Sequence, residues 1–506
     1  MLDYSIMESV GVRAAKATKW SLLTQVISKL ISPVTTLILA HILAPKVFGI
    51  IALVTMVTSF ADMFSDAGFQ KYLIQHEYDS ERHYHLSCDV AFWTNMVVSF
   101  VLWGGITLMR DSLASLLGDP TIGMAIAVAC ASLPLTSATS VQTAVYQRRF
   151  DFKTLFYSRV GSSLLILIVS VPLALMGLGY WSMIIGTIVS NLLLAIWLTV
   201  CSTWKPSCRY SFEELRAMLS FSIWTLVEQF SIWITNWVGA FILGSMMNAY
   251  YLGLYNTSVS LVNAIIAIIT GAINPVIFAT LSRFQNDLSK FRDSFFYVQK
   301  CLAITVVPVA VAIFLFSDML VNLYLGSQWL EAATFLGMYA LASSLVVVFG
   351  HVCSNAYRSI GKPVYSLISQ IVFLFFLVPS YIIGAKEGFA LFSIIVPAAR
   401  LLGCFVAHFA ICKFLMQLSP MRMMTNLRWI YAFVLVIGIP NYMLINVFEL
   451  GYIVQTILII MDIVVYVFLC NSVNDTRELM YDLLNRMGMG KIVQILERQK
   501  FAFGKR

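Results

Sequence analysis

Apolar runs broken by short polar segments occupy most of the chain, and nearly all of them approach the length of about 20 residues that crosses a bilayer as a helix. Fourteen such spans are predicted, near 20–43, 47–69, 85–109, 112–134, 157–176, 180–203, 217–244, 251–280, 298–317, 329–350, 365–384, 388–412, 429–447 and 450–470. We number them helices one to fourteen in that order. A polar, partly amphipathic tail follows from Asn471 to Arg506. The polar head Met1–Lys19 leads straight into the first span, so no cleavable signal peptide is expected there.

Within several spans the polar residues fall on one face. Ser21, Gln25, Ser28, Lys29, Ser32 and Thr36 recur at i, i+3, i+4 spacing on helix one. Helix two carries Thr55, Ser59, Asp62 and Asp66 in the same way, helix seven carries Thr225, Glu228, Thr235 and Asn236, and helix eight carries Asn256, Ser260, Asn263, Thr270 and Asn274. Helices nine, thirteen and fourteen are more uniformly apolar. A polar stripe on an apolar rod points to a water-filled interior, because polar groups facing lipid are costly. Helices one, two, seven and eight are therefore expected to wall a central cleft.

The sequence also repeats. A shift of 204 puts Trp20 on Trp224, Gln25 on Gln229, Ile38-Leu39 on Ile242-Leu243 and Gly49 on Gly253. A shift of 207 puts Val171-Pro172 and Gly177 on Val378-Pro379 and Gly384. Each copy spans six helices, an even number, so both copies keep one orientation and their pseudo-twofold axis runs along the membrane normal. The predicted fold is an all-α polytopic membrane protein with two six-helix bundles and two extra helices. Its parts are 1–203, a linker 204–216, 217–412, helices thirteen and fourteen within 413–470, and the tail 471–506.

Composition agrees: of 506 residues, 59% are hydrophobic and only 11% charged, and the mean hydropathy is +0.84. The net charge of +8 does not point to nucleic acid, because the basic residues gather on one side. With the N-terminus inside, all but five of the 33 Lys and Arg fall in inside segments. The exceptions are Lys46, Arg110 and Lys386 outside, and Lys29 and Arg400 within spans. That bias predicts both termini in the cytoplasm. The nine cysteines form no CxxC pair, so neither a disulfide framework nor a zinc site is expected, and no cofactor is implied. No GxxxxGK[ST], HExxH, DxD or GxSxG motif is present, and no catalytic residue is assigned.

Lys29 is the first candidate for substrate contact, since a cation at mid-bilayer costs about 2.5–3.5 kcal/mol and is functional by default. Its alternative role is to pair with Glu228, about one turn from the equivalent position on helix seven. Arg400 offers a planar fork suited to phosphate, or it staples helices or snorkels to an interface. Gln25, Asn236, Asn256 and Asn263 complete the proposed cavity lining, and Pro33 and Pro275 are hinge candidates. The basic loop Tyr146–Phe150 and its counterpart Tyr357-Arg358 fit solvated inside loops. Asp462 in helix fourteen has no evident partner, and the tail reads as a membrane-surface helix.

The stretch Leu43 to Gln75 resembles the opening of the polysaccharide-transporter (Wzx-type flippase) branch of the multidrug/oligosaccharidyl-lipid/polysaccharide exporter superfamily. Pro45, Phe48 and Gly49 match that family's Pro-x-x-[Phe/Tyr]-Gly turn, and Asp66, Gly68 and Gln75 match its Asp-x-Gly and following Gln. Tyr251–Tyr255 is loosely similar to its start of helix eight. The resemblance implies a flippase of the bacterial inner membrane. It would carry an undecaprenyl-diphosphate-linked oligosaccharide, of exopolysaccharide or O-antigen type, between leaflets by alternating access. Its implied partners are the lipid-linked substrate, the bilayer, and a polysaccharide polymerase with its assembly proteins. The related lipid II flippases hold several arginines in the cavity, whereas this chain offers one lysine and Arg400. A cation-coupled drug antiporter, a membrane enzyme and a scaffold of polysaccharide assembly are the alternatives.

Overall fold

The computed structural model is built of helices, with no strand among the described residues. Residues 20–486 are described, apart from 21, 22, 25, 26, 28, 29, 67, 285, 286, 363 and 449, and the side-chain description further omits 65, 66, 220–225, 227, 228, 272–280, 282 and 486. Among the described residues twelve helices are long and apolar enough to cross a membrane. They correspond to helices two to six and eight to fourteen. Helix one is described continuously from Leu30 to Ile42, and helix seven runs 35 residues from Phe212 to Met246.

Two spans end well beyond expectation. Helix four runs from Pro120 to Arg148 and not from 112 to 134, and helix ten runs from Ser327 to Ser359 and not from 329 to 350. Helix four starts later than expected and helix ten within two residues of expectation, each after a break that follows a short helix, Arg110–Leu116 before one and Ser317–Tyr324 before the other. In the first, Asp119 accepts the Thr121 N–H at 3.0 Å and Pro120 takes the first helical position, where it needs no donor. Each end is extended because a polar stretch continues the helix. Helix ten changes there from α to a π-helical segment, Val346–His351, and returns to α over Val352–Ser359.

The repeat is visible in backbone detail. The chain turns at positive φ at Gly118 (88°) and Gly326 (100°), after the two short helices. Helices four and ten end in the same hydrogen-bond pattern. Phe150 N–H donates to the Gln147 carbonyl and Asp151 N–H to that of Tyr146; Gly361 N–H donates to Arg358 and Lys362 N–H to Tyr357. Pro172 and Pro379 both lie inside their helices, and Leu39 and Leu243 are both fully buried.

Contacts divide the chain into two units, Met1–Thr257 and Ser258–Arg506. In the first, helix two (Pro45–Asp66) crosses the start of helix eight (Ala249–Arg283) at glycine. A β-carbon at Gly49 would stand 1.7 Å from the Ala249 carbonyl oxygen, and one at Gly253 would stand 1.9 Å from that of Pro45. Pro45 and Ala249 are themselves related by the 204 shift. Each glycine thus receives the carbonyl of the other's neighbour, the reciprocity of a twofold contact. Small residues at such crossings let backbones meet, which is how membrane helices gain packing without a hydrophobic drive.

Helices thirteen (Arg428–Phe448) and fourteen (Tyr452–Ser472) are held together in the apolar layer by polar groups. The Asn441 amide donates to both Asp462 oxygens at 2.7 Å, which supplies the partner that the sequence did not show. The first part of the tail, Asn474–Arg486, docks on helix nine (Leu288–Leu315) through Lys300–Asp475 at 2.6 Å and a Tyr297–Asp482 hydrogen bond. The rest of the tail lies outside the described residues.

Candidate functional site

Of the predicted cavity residues, Gln25 and Lys29 lie outside the described residues, as do the side chains of Glu228 and Pro275. Pro33 is half-buried on helix one. Asn236 on helix seven and Asn263 on helix eight are exposed, and Asn256 is half-buried.

The partner of Lys29 in the repeat, Trp233, packs on the polar stripe of helix two. Its indole N–H donates to Ser59 Oγ at 3.1 Å and its ring lies 4.9 Å from that of Phe60. Asp62 on the same stripe accepts from the Thr136 hydroxyl of helix four at 2.6 Å. The stripes of helices two and four are thus turned toward neighbouring helices in the first unit.

Helix four is also covered further along. Helix two ends at Asp66, Gly68 adopts φ 78°, and a short helix, Phe69–Gln75, packs over helix four. The Gln70 amide donates to Gln147 at 3.3 Å, and Arg148 donates to the Leu73 and His76 carbonyls at 2.9 and 2.7 Å. The Arg148 guanidinium also lies 4.8 and 4.9 Å from the Tyr78 and Tyr84 ring centres. Burial raises the Tyr78 phenol well above its ordinary pKa, so this contact is one between a cation and a neutral ring. Arg148 therefore caps a helix C-terminus, where carbonyls lack partners.

Two more polar pairs fasten the ends of helices three and seven. Glu214 accepts from His83 Nε2 at 2.6 Å and from Ser87 at 2.9 Å, and buried Asp89 accepts the Ser207 N–H at 2.9 Å. These are carboxylates fully engaged in holding connections.

The second unit holds a different arrangement. On helix ten beyond the π-helical segment, Val352, Cys353, Ala356, Tyr357 and Ser359 are buried. The remaining positions are His351 and Arg358, both exposed, and Ser354 and Asn355, both half-buried. Their spacing of i, i+3, i+4, i+7 defines one helical face, and every residue on it is polar. The buried side of helix ten is tied to helix twelve (Phe389–Leu415). Tyr357 and His408 share a hydrogen bond at 3.2 Å, and the Cys412 and Cys353 sulfurs lie 3.2 Å apart. Gly350 admits this approach, since a β-carbon there would stand 3.1 Å from Cys404 Sγ.

Arg400, one turn from Cys404 on helix twelve, is half-buried. Its guanidinium lies 5.0 Å from the Tyr339 ring centre on helix ten and 5.4 Å from that of Phe373 on helix eleven (Val364–Glu387). A desolvated guanidinium over a ring contributes about 0.5–2 kcal/mol, so Arg400 does join three helices. Sequence reasoning missed this face because it ended helix ten at residue 350; the spacing of His351, Ser354, Asn355 and Arg358 was the signal that could have found it.

With this geometry in view, the chain can be compared with known proteins. The family described as polysaccharide biosynthesis protein matches residues 38–334, more than half of the chain. The chain belongs to that family. Among relatives, the succinoglycan biosynthesis transport protein ExoT of Rhizobium meliloti is 24% identical over 328 residues, which cover 65% of this chain and 65% of that protein. The chain thus spans just under two thirds of that relative's length. The lipopolysaccharide biosynthesis protein WzxC of Escherichia coli is 21% identical over 402 residues, covering 76% of this family member and 77% of WzxC. In fold, the protein is similar to the lipid II flippase MurJ in an inward closed conformation, with a TM-score of 0.73 at 13% identity over 92% of this chain and 99% of MurJ. A multidrug resistance transporter of the MATE family and MOP superfamily gives a TM-score of 0.62 at 15% identity, over 79% of this chain and 96% of that one.

Proposed function

We propose that this protein is a flippase that moves lipid-linked oligosaccharide repeat units across the bacterial inner membrane by alternating access, with both termini in the cytoplasm. The observation that carries this reading is the polysaccharide-biosynthesis family match over residues 38–334 in a chain of membrane-spanning helices. The names of the relatives agree, as one is a succinoglycan transport protein. The polar face of helix ten, half-buried to exposed in a chain of apolar spans, supports this reading. A group-transfer step is no part of the proposal. The substrate is the lipid-linked repeat unit, and a polymerase would receive it on the far side.

Lys29 is proposed to contact this substrate, with Gln25, Asn236, Asn256 and Asn263 lining the path, Glu228 balancing the lysine, and Pro33 and Pro275 as hinges. The test is reconstitution of the purified chain in vesicles containing a fluorescent polyprenyl-diphosphate-linked sugar, with a membrane-impermeant quencher outside. Wild-type protein is expected to move label between leaflets, and Lys29→Ala to abolish this while still inserting and folding. Absence of movement with wild-type protein, together with cation-driven drug efflux from the same vesicles, would establish an antiporter in place of a flippase. Full movement with Lys29→Ala would remove that lysine from the path.

A further inference from the structure

Beyond its π-helical segment, helix ten turns Cys353 and Tyr357, four residues apart on one face, toward helix twelve. Helix twelve meets them with Cys404, His408 and Cys412, spaced i, i+4, i+8 on its own face. The two stripes close on each other because Gly350 has no side chain. A β-carbon there would stand 3.1 Å from Cys404 Sγ and 3.3 Å from His408 Nε2. All five side chains are buried. The Cys353 and Cys412 sulfurs are 3.2 Å apart, and the Tyr357 hydroxyl lies 3.4 Å from Cys412 Sγ and 3.2 Å from His408 Nδ1.

Packing alone does not call for such a set. In the first unit the equivalent tyrosine, Tyr146, donates its hydroxyl to the Leu198 carbonyl of helix six (Tyr180–Cys201) at 3.2 Å, and Gln142 stands where helix ten has Cys353. In the second unit a thiol and an imidazole take that carbonyl's place. They make a hydrogen-bonded line from Cys412 through Tyr357 to His408, with a second thiol at its open end. A lone thiolate is costly in an apolar layer, but along this line the charge need not stand alone. In the tautomer that leaves Nδ1 as acceptor, His408 takes the Tyr357 hydroxyl proton as Tyr357 takes that of Cys412. Bonded sulfurs stand about 2.05 Å apart, so the pair is about 1 Å from a disulfide.

We propose that Cys353 and Cys412 are a peroxide-sensitive thiol pair that joins helices ten and twelve by a reversible disulfide, with Tyr357 and His408 relaying the Cys412 proton. The oxidant is hydrogen peroxide, which is small and uncharged and reaches a buried site that excludes bulkier thiol reagents. The Cys412 sulfur attacks one peroxide oxygen. An S–O bond forms, the O–O bond breaks, and the leaving hydroxide takes up the relayed proton and departs as water. The Cys353 sulfur then attacks that of Cys412. The S–S bond forms, the S–O bond breaks, and the second hydroxide leaves as water with the Cys353 proton. Two thiols lose two electrons, and one peroxide gains them to give two waters. The nearness of Cys353 lets this second step outrun further oxidation of the sulfenic acid. In the orientation proposed above, the pair sits toward the cytoplasmic ends of its helices, where disulfides are transient and report oxidation.

Peroxide treatment of the reduced full-length protein in detergent, followed by peptide mass mapping, tests the pair. The exposed Cys201 and Cys208 are first blocked with maleimide. Wild type is expected to form one Cys353–Cys412 linkage, which a phosphine reductant reverses. The linkage joins residues 59 positions apart and should raise the thermal unfolding temperature, a rise absent from Cys353→Ser and Cys412→Ser. His408→Asn puts an amide oxygen where Nδ1 stands, so it keeps an acceptor for Tyr357 and loses the proton carrier. It should form the linkage at least about tenfold more slowly, and Tyr357→Phe likewise. In His408→Asn the thiolate must come from solvent hydroxide, so its rate should climb about tenfold per pH unit, more steeply than in wild type. Wild-type Cys353 and Cys412 left unlinked by peroxide, or linked to other cysteines, would overturn the pair. A wild-type rate and pH slope in His408→Asn would overturn the relay.

Discussion

Helix four and helix ten hold the same place in the two repeats, each following a short helix and a turn at positive φ and ending in the same pair of hydrogen bonds. Aligned on Tyr146 and Tyr357, the positions of His351, Ser354, Asn355 and Arg358 are Ser140, Thr143, Ala144 and Gln147. One face is neutral where the other is cationic. The first is also covered: helix two breaks at Gly68 and the short helix Phe69–Gln75 lies over it, meeting Gln147. Helix eight, the partner of helix two, runs unbroken from Ala249 to Arg283. The turn at Gly68 thus lets the chain itself cover the polar face of helix four. Duplication kept the scaffold and let the faces diverge, so symmetry in backbone and asymmetry in charge are separable properties.

The largest effect is expected where symmetry is held by backbone contact. Gly49→Ala drives a methyl group into the Ala249 carbonyl at 1.7 Å, and Gly253→Ala does the same at Pro45. Neither obstacle is a flexible side chain, so helices two and eight must part, at a cost of about 3 kcal/mol or more. Thermal unfolding in detergent should show both variants strongly destabilised and by similar amounts, as reciprocity requires. Gly161→Ala, where nothing lies within 4 Å, is the control and should be neutral or slightly stabilised. A Gly49→Ala protein as stable as wild type would show that this crossing is absent from the state it populates.

Next comes the difference in charge. Replacing His351 by Ser and Arg358 by Gln gives helix ten the chemistry of helix four at those two positions. This double variant should fold as wild type, with thermal unfolding changed by less than about 0.5 kcal/mol, because both replaced side chains are exposed. A loss of several kcal/mol would show that His351 or Arg358 anchors helix ten to its neighbours.

The lipid-facing spans were legible in the sequence because their polar breaks coincide with real turns. Helices five, six, eleven, thirteen and fourteen begin and end within about five residues of the hydropathy estimate. Helices four and ten were cut short, and for one physical reason. Thr136, Thr139, Ser140 and Gln147, like His351, Ser354, Asn355 and Arg358, occupy one face of a helix whose other faces are buried. Hydropathy averaged along the chain reads such a stretch as a loop, although its spacing is helical. The family resemblance was carried by turn and packing residues such as Pro45 and Gly49, and these prove to be where backbones meet. The site was less legible. Asp462 found its partner in Asn441, 21 positions away on the facing helix, which no local pattern encodes. Arg400 was visible as an intramembrane cation, but its ring partners Tyr339 and Phe373 come from two other helices.

The smallest effect separates the two closing turns. Both need a residue in the left-handed region, and the second uses Gly361 at φ 72° where the first uses Phe150 at 59°. A side chain there costs about 1–2 kcal/mol, because its β-carbon crowds the following carbonyl oxygen. Gly361→Ala should therefore lower stability by about 1 kcal/mol from the backbone alone, since nothing lies within 4 Å of the added carbon. Phe150→Gly removes the strain but also frees the unfolded chain and deletes a half-exposed ring, so these terms nearly cancel and the change should stay below about 1 kcal/mol. Denaturation of the two variants beside wild type measures both. If Phe150→Gly instead loses several kcal/mol, the phenyl ring anchors this turn in a way that its glycine counterpart cannot, and the two turns are equal in shape only.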